Sequence, residues 1–269
     1  MLSPLPATFR ARWPHHPEPM VLMHRAGEPE HICPAPTLWT GGKVFRESAR
    51  ALGLGPGHRV VAPMAPGIRW VQAMVGCFRA GVCFIPLPPE TDQALIDALR
   101  PHARVADTGL SLVVADAEAP LSDAEARWGF VSPTNAPTLN SVFDEQTLMA
   151  FAERLSSGLC PAPGIRVLSQ HPWWTPLGAI GEVLPTLWGA GELHLKGPGV
   201  GAEQLDASSS SPQATTGRAR FWRDALNAPP AWGTTLTGGL LFDADPDGAL
   251  QQACSARGWR LQVVEEMTC

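Results

Sequence analysis

The chain has 269 residues, of which 45% are hydrophobic and 17% charged, so it can bury a sizeable core and is not a disordered tail. Its 20 basic and 25 acidic residues give a formal net charge of -5, which excludes the strongly basic surface of a nucleic-acid-binding protein. No run approaches the roughly 18 apolar residues of a membrane span, and the proline-containing start lacks the apolar core of a signal peptide. We therefore expect a cytoplasmic protein with neither a nucleic-acid nor a membrane partner.

The cysteines and histidines show no metal-binding pattern. Six cysteines are present, and none forms a C-x-x-C pair or has a histidine at a metal-like spacing. We expect free, mostly buried thiols in a reducing compartment, rather than a disulfide or zinc framework. Four histidines lie near the start of the chain, and we interpret them as solvated side chains rather than a metal site: His15, His16, His24 and His31.

The first 36 residues contain many prolines and predict an irregular lead-in, in which the apolar stretch 20–23 packs against a later element. After it, the pattern predicts a helix with Thr37 as its N-cap and Gly53 as a left-handed stop. One face of this helix is apolar and consists of Leu38, Phe45, Ala49 and Leu52.

Strands and helices then alternate. Strands are predicted at 59–62, 82–87 and 111–115, with helices at 66–80 and from Thr91. The stretch 82–87 is apolar on both faces, as in a strand buried on both sides of a parallel sheet. This alternation predicts an α/β layer with right-handed crossovers.

The alternation continues in the second half of the chain. The predicted elements are helices at 144–155, 176–188, 221–226 and 246–257, and strands at 165–169, 192–195, 234–237 and 259–264. The stretch 197–218 is poor in apolar residues and predicts a mobile loop. The expected fold class is therefore α/β, with layered, mostly parallel sheets flanked by helices. Residues 37–269 form its domain, with a sub-boundary near 116–143.

Several stretches, taken in order, resemble the adenylate-forming superfamily of acyl- and aryl-CoA synthetases, nonribosomal peptide adenylation domains and luciferases. The stretches that carry the resemblance are RALGLGPGHRVV, MAPGIRWVQAMVGCFRAG, VCFIPLPPE, HPWWTPLGAIGEVLPTLWGAGELHL, TGGLLFDAD and VVEEMTC. Together they span residues 20–269. The resemblance implies the N-terminal part of the family's large domain, without the mobile C-terminal lid that brings a catalytic lysine.

The resemblance also implies a site for ATP or AMP with magnesium. The family's phosphate loop, similar to TSGTTGxPKG, corresponds to 131–142, where Ser132, Thr134 and Asn135 stand at hydroxyl positions. This stretch has neither glycine nor lysine, and its two prolines lack an amide donor. We expect a surface connection rather than a phosphate cradle, although the phosphate-binding alternative stays open.

The last stretch departs from the family pattern in the same direction. In VVEEMTC, Thr268 is kept, Glu265 and Glu266 replace a tyrosine and a glycine, and Cys269 replaces the magnesium-associated glutamate. Two adjacent carboxylates without a cation would repel a triphosphate. We therefore predict no catalytic residue and no metal ligand in this chain. Binding of ATP or AMP with magnesium stays an open alternative.

Two further segments correspond to the family's acyl and adenine pocket. Trp173 and Trp174 line an apolar cleft or pack in the core, and Thr175 stands where the family often has a histidine. The turn that the resemblance places against the adenine and the acyl chain consists of Thr237, Gly238 and Gly239. A ligand-free turn between a strand and a helix is the alternative.

Two functions follow from the resemblance. In the first, the chain is a ligase-like protein that is catalytically impaired alone and serves as a binding or accessory partner in an acyl, peptide or polyketide pathway. A carrier protein or a biosynthetic enzyme is then the expected partner, and a homo- or hetero-oligomer the expected state. In the second, the chain is the active half of a split acyl- or aryl-AMP ligase that a partner chain completes. Motifs of serine hydrolases, P-loop proteins, zincins and dinucleotide-binding proteins are absent from the sequence.

Overall fold

Two β-sheets, one of seven strands and one of six, organise the chain. The computed structural model describes residues 4–13, 19–24, 31–105, 112–114, 126–131, 139–196, 212–217, 219–227, 236–242 and 248–264. Helices flank the sheets, and the carboxyl ends of the parallel strands within a sheet lie at a common edge. The layered, mostly parallel α/β fold expected from the sequence is confirmed.

The larger sheet contains strands from the beginning and the second half of the chain. Its strands are β1 (Pro19–His24), β2 (His31–Pro34), β9 (Arg166–Ser169), β10 (Glu192–Lys196), β11 (Ala214–Gly217), β12 (Gly238–Leu241) and β13 (Arg260–Val263). They lie in the order β13-β12-β11-β9-β10-β1-β2. All neighbours are parallel except the antiparallel pair of β1 and β2 at one edge.

The smaller sheet has a parallel centre with an antiparallel strand at each edge. Its strands are β3 (Arg59–Pro63), β4 (Cys83–Leu87), β5 (Ala103–Val105), β6 (Leu112–Val114), β7 (Ala126–Val131) and β8 (Leu139–Asp144). They lie in the order β6-β5-β3-β4-β7-β8. The strand β6, predicted at 111–115, is thus an antiparallel edge strand rather than a crossover strand.

The helices occupy the connections between strands. They are α1 (Pro4–Arg12), α2 (Ala35–Ala51), α3 (Ile68–Ala80), α4 (Gln93–Ala98), α5 (Glu145–Leu159), α6 (Pro176–Gly178), α7 (Leu184–Trp188), α8 (Ala219–Asn227) and α9 (Ala249–Ala256). A π-helical segment (Ala179–Val183) joins α6 to α7. Among the helices in the described ranges, none is both long and apolar enough to cross a membrane.

The first residues of the chain are not the irregular lead-in that the sequence predicts. They form α1, β1 and β2, and the side chains of Leu5, Phe9 and Trp13 are buried. The Trp13 indole N–H donates to the backbone carbonyl of Leu187 at 2.9 Å. The expectation that stretch 20–23 packs against a later element is confirmed, because β1 pairs in parallel with β10. Tertiary burial, rather than local periodicity, orders this part.

Two predicted helix starts are wrong. Helix α2 begins after Pro34, two residues before Thr37, so Thr37 is not its N-cap. Helix α4 is capped by Asp92 instead of Thr91, because the Asp92 carboxylate accepts the Leu95 backbone N–H at 2.7 Å. The predicted end of α2 is confirmed by the left-handed Gly53, although Leu52 is exposed rather than buried.

The segment 197–218, predicted as a mobile loop, contains a buried strand. Residues 214–217 form β11, which lies between β9 and β12. Its apolar content is low, but Thr215 Oγ1 donates to the carbonyl of Leu168 at 3.0 Å, which satisfies the hydroxyl inside the sheet. The next strand is also displaced: β12 begins at Gly238, after the predicted 234–237, of which residues 234 and 235 lie outside the described ranges.

The expectation of free, mostly buried thiols is confirmed for the cysteines that the structure describes. The free, buried cysteines in the described ranges are Cys33, Cys77, Cys83, Cys160 and Cys254. Burial raises the pKa of the Cys33 thiol to about 11 and that of the Cys160 thiol to about 12. His24 and His31 lie in β1 and β2, whereas His15 and His16 lie outside the described residues. Within the described residues, no three His, Cys, Asp or Glu side chains form a potential metal site.

Candidate site at the carboxyl edge of the larger sheet

The carboxyl ends of β9, β11 and β12 meet at one edge of the larger sheet, because these strands are parallel. Residues Gln170 and His171 directly follow β9, Thr216 lies near the end of β11, and Phe242 follows β12. In open α/β sheets, ligands bind outside the carboxyl ends of the strands. This edge is therefore the candidate site.

A fully buried carboxylate, that of Glu182, lies at this edge. It accepts the backbone N–H groups of Gln170 and His171, at 3.1 Å and 3.2 Å for Oε2, and the His171 ring N–H at 2.7 Å for Oε1. The hydroxyls of Ser169 and Thr216 also donate to it. Every group around the carboxylate is a donor, so its acceptor capacity is satisfied inside the protein.

The backbone that holds Glu182 is the π-helical segment between α6 and α7. The sequence predicts a helix over 176–188, which is confirmed in extent, but the wider turn in its middle was not foreseen. The Thr186 hydroxyl donates to the Glu182 backbone carbonyl at 2.7 Å, and Gly181 lies against the Phe242 ring, where a Cβ would be 2.6 Å from Cζ. Single π turns inside helices are frequent at functional sites.

The imidazole of His171 is partly exposed, with 20% of its side chain accessible to solvent. Its Nδ1 lies 2.7 Å from Glu182 Oε1, so this network assigns the Nδ1–H tautomer, in which Nε2 is the acceptor. The ring packs edge-to-face against Phe242 at a centroid distance of 5.9 Å. Over the described part of the chain, Nε2 has no hydrogen-bond partner.

Neighbouring side chains fix the segment that carries His171. The Gln170 amide donates to Thr215 Oγ1 at 2.6 Å and to the Thr216 carbonyl at 3.1 Å. The Trp173 indole N–H donates to Ser169 Oγ at 2.8 Å. These bonds join the end of β9 to the end of β11, so the donors that surround Glu182 are held in place.

Trp173 and Trp174, the aromatic pair predicted for the acyl pocket, differ in burial. Trp173 is fully buried and packs against Trp70 at a ring-centroid distance of 5.0 Å, so it belongs to the core and does not line an open cleft. Trp174 is half-buried. Thr175 is the N-cap of α6: its hydroxyl donates to the Pro172 carbonyl at 2.7 Å and accepts the Gly178 N–H at 3.3 Å.

The glycines predicted for a ligand-binding turn lie inside a strand. Gly238 and Gly239 belong to β12, where a Cβ would overlap the backbone carbonyl oxygens of Arg260 and Thr215 on the neighbouring strands. Thr237 lies at the amino end of this strand, at the sheet edge opposite to Glu182. The prediction of a turn at 237–239 is therefore wrong, because close packing against neighbouring strands requires the glycines. The predicted contact of these three residues with a ligand stays a prediction.

The remaining predicted binding residues are in the phosphate-loop stretch and the last stretch of the chain. Ser132, Thr134, Asn135 and Thr268 lie outside the described residues, as do Glu265, Glu266 and Cys269. Their predicted roles stay predictions.

The residues that form the edge, namely His171, Glu182 and Thr216, were not predicted from the sequence. One signal pointed to Glu182, because it is the only charged residue between Pro176 and Trp188 in an otherwise apolar helix. A charge in such a position requires internal partners. Lys196 places a cation at the same edge. In the pairing of β10 with β9, Leu195 lies opposite Ser169, and the exposed Lys196 directly follows Leu195.

Comparison with known proteins gives no match by sequence: no family model and no curated protein matches the chain. Solved structures match over almost the whole chain. MatB from Rhodopseudomonas palustris has a TM-score of 0.73 at 14% identity, covering 100% of this chain and 60% of that one. The protein CmiS6 has a TM-score of 0.71 at 18% identity, covering 97% of this chain and 70% of that one.

A third match was solved with bound ligands. This fatty acyl-adenylate ligase from L. pneumophila, solved with acyl adenylate and pyrophosphate, has a TM-score of 0.67 at 17% identity, covering 95% of this chain and 53% of that one. The chain has the fold of the adenylate-forming enzymes. It spans between about half and seven-tenths of the length of these three structures. The adenylate-forming fold confirms the architecture that the sequence resemblance implied.

Proposed function

We propose that this chain is an adenylate-forming-ligase-like protein that does not form acyl adenylates by itself and acts as an accessory or binding partner in an acyl, peptide or polyketide pathway. Its partner on this proposal is a carrier protein or a biosynthetic enzyme, and it works as a homo- or hetero-oligomer. The reaction that the fold supports elsewhere needs a site for the negative charge of ATP.

The observation that carries this proposal is the carboxylate of Glu182 inside the candidate site. Two backbone N–H groups and two hydroxyls converge at the carboxyl edge, an arrangement that suits an anion. In this chain the anion is already present and is a side chain. A carboxylate or phosphate ligand would have to displace Glu182 from its donors.

Electrostatic repulsion adds to this competition. A second negative charge about 4 Å from the Glu182 carboxylate would cost about 4 kcal/mol at an effective dielectric constant of about 20. The stretch 131–142, without glycine or lysine, offers no compensating phosphate cradle in the sequence. Both features disfavour ATP binding.

Pyrophosphate exchange tests the proposal. Purified chain with ATP, magnesium and a panel of aliphatic and aromatic carboxylic acids should transfer no label from pyrophosphate into ATP, and calorimetry should show no magnesium-dependent ATP binding. The Glu182→Gln variant is the matched control, because it removes the charge and keeps the side-chain shape. Exchange by the unaltered chain, or micromolar ATP binding, would contradict the proposal.

Association is tested separately. The chain should co-sediment with a carrier protein or biosynthetic enzyme encoded beside it, when each is purified and mixed at micromolar concentration. A chain that sediments as a monomer alone and with each of these proteins would contradict the accessory role.

The alternative is an active half of a split acyl- or aryl-AMP ligase, and Lys196 is the observation that favours it. This exposed ammonium group lies at the carboxyl edge, one residue beyond the pairing of Leu195 with Ser169. It could contact a phosphate if a second chain supplied the remaining donors. The alternative predicts exchange activity when a neighbouring gene product is added, and loss of that activity in Lys196→Ala.

A further inference from the structure

The carboxyl edge contains a second chemical feature, the unused nitrogen of His171. Its Nδ1 is bonded to Glu182, and in the described ranges its Nε2 faces no protein partner, while 20% of the side chain is exposed. A partly exposed imidazole that is held at Nδ1 by a buried carboxylate, and whose Nε2 has no hydrogen-bond partner among the described residues, has the arrangement of the base in a hydrolytic triad. No serine or cysteine of the described residues hydrogen-bonds to this Nε2, so a nucleophile would have to come from solvent.

Glu182 is fixed more firmly than an isolated carboxylate would be. Backbone N–H groups and two hydroxyls hold it, and its backbone lies in the π-helical segment. The carboxylate therefore sets the tautomer and the direction of the His171 ring, and its charge stabilises an imidazolium when Nε2 takes a proton. It is the only titratable group in contact with His171 among the residues that the structure describes.

We propose that His171 is a general base that activates water for the hydrolysis of activated acyl esters at this edge, with Glu182 as its positioning residue. In the first step, Nε2 takes a proton from water, the water oxygen forms a bond to the acyl carbon, and the carbonyl becomes an oxyanion. In the second step, the oxyanion reforms the carbonyl, the bond to the leaving oxygen breaks, and that oxygen departs as an anion. The imidazolium then releases its proton to solvent.

The same geometry restricts the substrate. Within the described residues, no acid other than the His171 imidazolium lies at this point, so the favoured substrates are those whose leaving oxygen departs as a weakly basic anion without being protonated. Aryl esters and acyl phosphates or other mixed anhydrides meet this condition, and alkyl esters do not. The ring of Phe242, packed against His171, supplies an apolar surface for the acyl chain.

Hydrolysis of p-nitrophenyl butyrate by the full-length chain is the direct test. We expect kcat/KM well above the second-order rate constant of free imidazole at the same pH, and a normal solvent deuterium isotope effect. His171→Gln should lower kcat/KM about 100-fold, the lower range for general-base catalysis. His58→Gln is the matched control and should leave the rate unchanged, because this half-buried histidine lies by β3 and bonds to Gly55.

The Glu182→Gln variant tests the positioning role. It should lower kcat by about tenfold or more with little change in KM, and it should shift the pH at which the rate rises, which a merely structural change would not do. Tryptophan fluorescence and thermal midpoints check the fold of each variant. If Glu182→Gln does not fold, His171→Gln decides alone, because its side chain is partly exposed.

Three results would overturn the inference: hydrolysis no faster than by free imidazole, an unchanged rate in His171→Gln, or accumulation of an acyl-imidazole, which would make His171 a nucleophile. The assay contains neither ATP nor a partner protein. Its failure therefore leaves the accessory role untouched, and failure of the accessory role leaves this inference standing.

Discussion

The guanidinium of Arg127 lies 3.2 Å from the carboxylate of Glu145, at the point where β7, α5 and α1 meet. The same carboxylate accepts the backbone N–H of Leu5 at 2.6 Å. Only 8% of the Arg127 side chain and 10% of the Glu145 side chain are exposed. This pair therefore links the first helix of the chain to the smaller sheet.

Removing one charge of this pair should destabilise the protein strongly. Glu145→Gln removes the buried carboxylate charge that lies 3.2 Å from the Arg127 guanidinium, and we expect the free energy of unfolding to fall by about 3 kcal/mol. Urea denaturation measures the change. The control is Glu47→Gln in the exposed pair with Lys43, whose N–O distance is 3.9 Å and which should contribute less than about 1 kcal/mol. Equal effects of the two substitutions would refute the prediction.

Helix α1 should contribute to the stability of the whole fold. Phe9 is fully buried and stacks on Trp13 at a ring-centroid distance of 4.9 Å. Phe9→Ala should lower the free energy of unfolding by about 3–5 kcal/mol, through lost apolar burial and the cavity that remains. Ala7→Ser, at an exposed position of the same helix, is the control and should change it by less than about 0.5 kcal/mol. An equally small loss for Phe9→Ala would mean that α1 is dispensable.

The close contact between α2 and α3 should not tolerate a methyl group at Gly76. A Cβ there would lie 2.5 Å from the Cβ of Phe45, so the two helices would have to separate. We expect Gly76→Ala to lower the free energy of unfolding by about 1–3 kcal/mol, as overpacking does. Gly55→Ala is the matched comparison, because no atom lies within 4 Å of its Cβ position. It should be neutral or stabilising by up to about 1 kcal/mol, and the opposite ranking of the two variants would contradict this packing.

Alkaline pH should destabilise the protein through its buried thiols. Burial raises the pKa of the Cys160 thiol from 9.0 to about 12, so the folded chain keeps a proton that the unfolded chain releases. The stabilisation is complete below pH 9 and is lost as the pH rises from 9 towards 12. The sequence contains no tyrosine, so the other side chains that titrate in this range are two lysines and the remaining cysteines.

Cys160→Ala identifies the contribution of this thiol. Urea denaturation at pH 7 gives the difference in free energy of unfolding between the two proteins, which measures the packing effect of the substitution. The same difference at about pH 10.5, roughly the middle of this pH range, adds the effect of the titration. We expect the stability of the variant to fall less steeply with pH. Parallel loss of stability in both proteins would contradict the assignment to Cys160.

The sequence predicted the elements whose environment is the same throughout their length. The stretch 82–87 is apolar on both faces, and it forms β4, which is buried along its whole length. Gly53 and Gly81 end α2 and α3 in the left-handed conformation, as a residue without a Cβ allows. Strand β11 was not predicted, because its residues ATTG have no apolar periodicity. The hydroxyls of Thr215 and Thr216 are buried because each finds a hydrogen-bond partner inside the protein.

One part of the candidate site was predictable from local sequence, and the other part was not. Local pattern indicated a helix over 176–188, but the position of the sheet edge relative to that helix depends on strand pairings far apart in sequence. The pairing of β11 with β9 brings Thr216 to Glu182, and no periodicity in either segment encodes it.

By itself, the sequence determined the α/β alternation and the buried central strands, because burial period and turn residues are local properties. Composition and motifs determined the net charge of -5 and the resemblance to adenylate-forming enzymes. The tertiary structure decided that the first residues belong to the core, that Gly238 and Gly239 lie within a strand, and that Glu182 fills the carboxyl edge. Those features depend on which segments lie side by side, and the free energy of burying a charge is settled only by the donors that the rest of the chain brings to it.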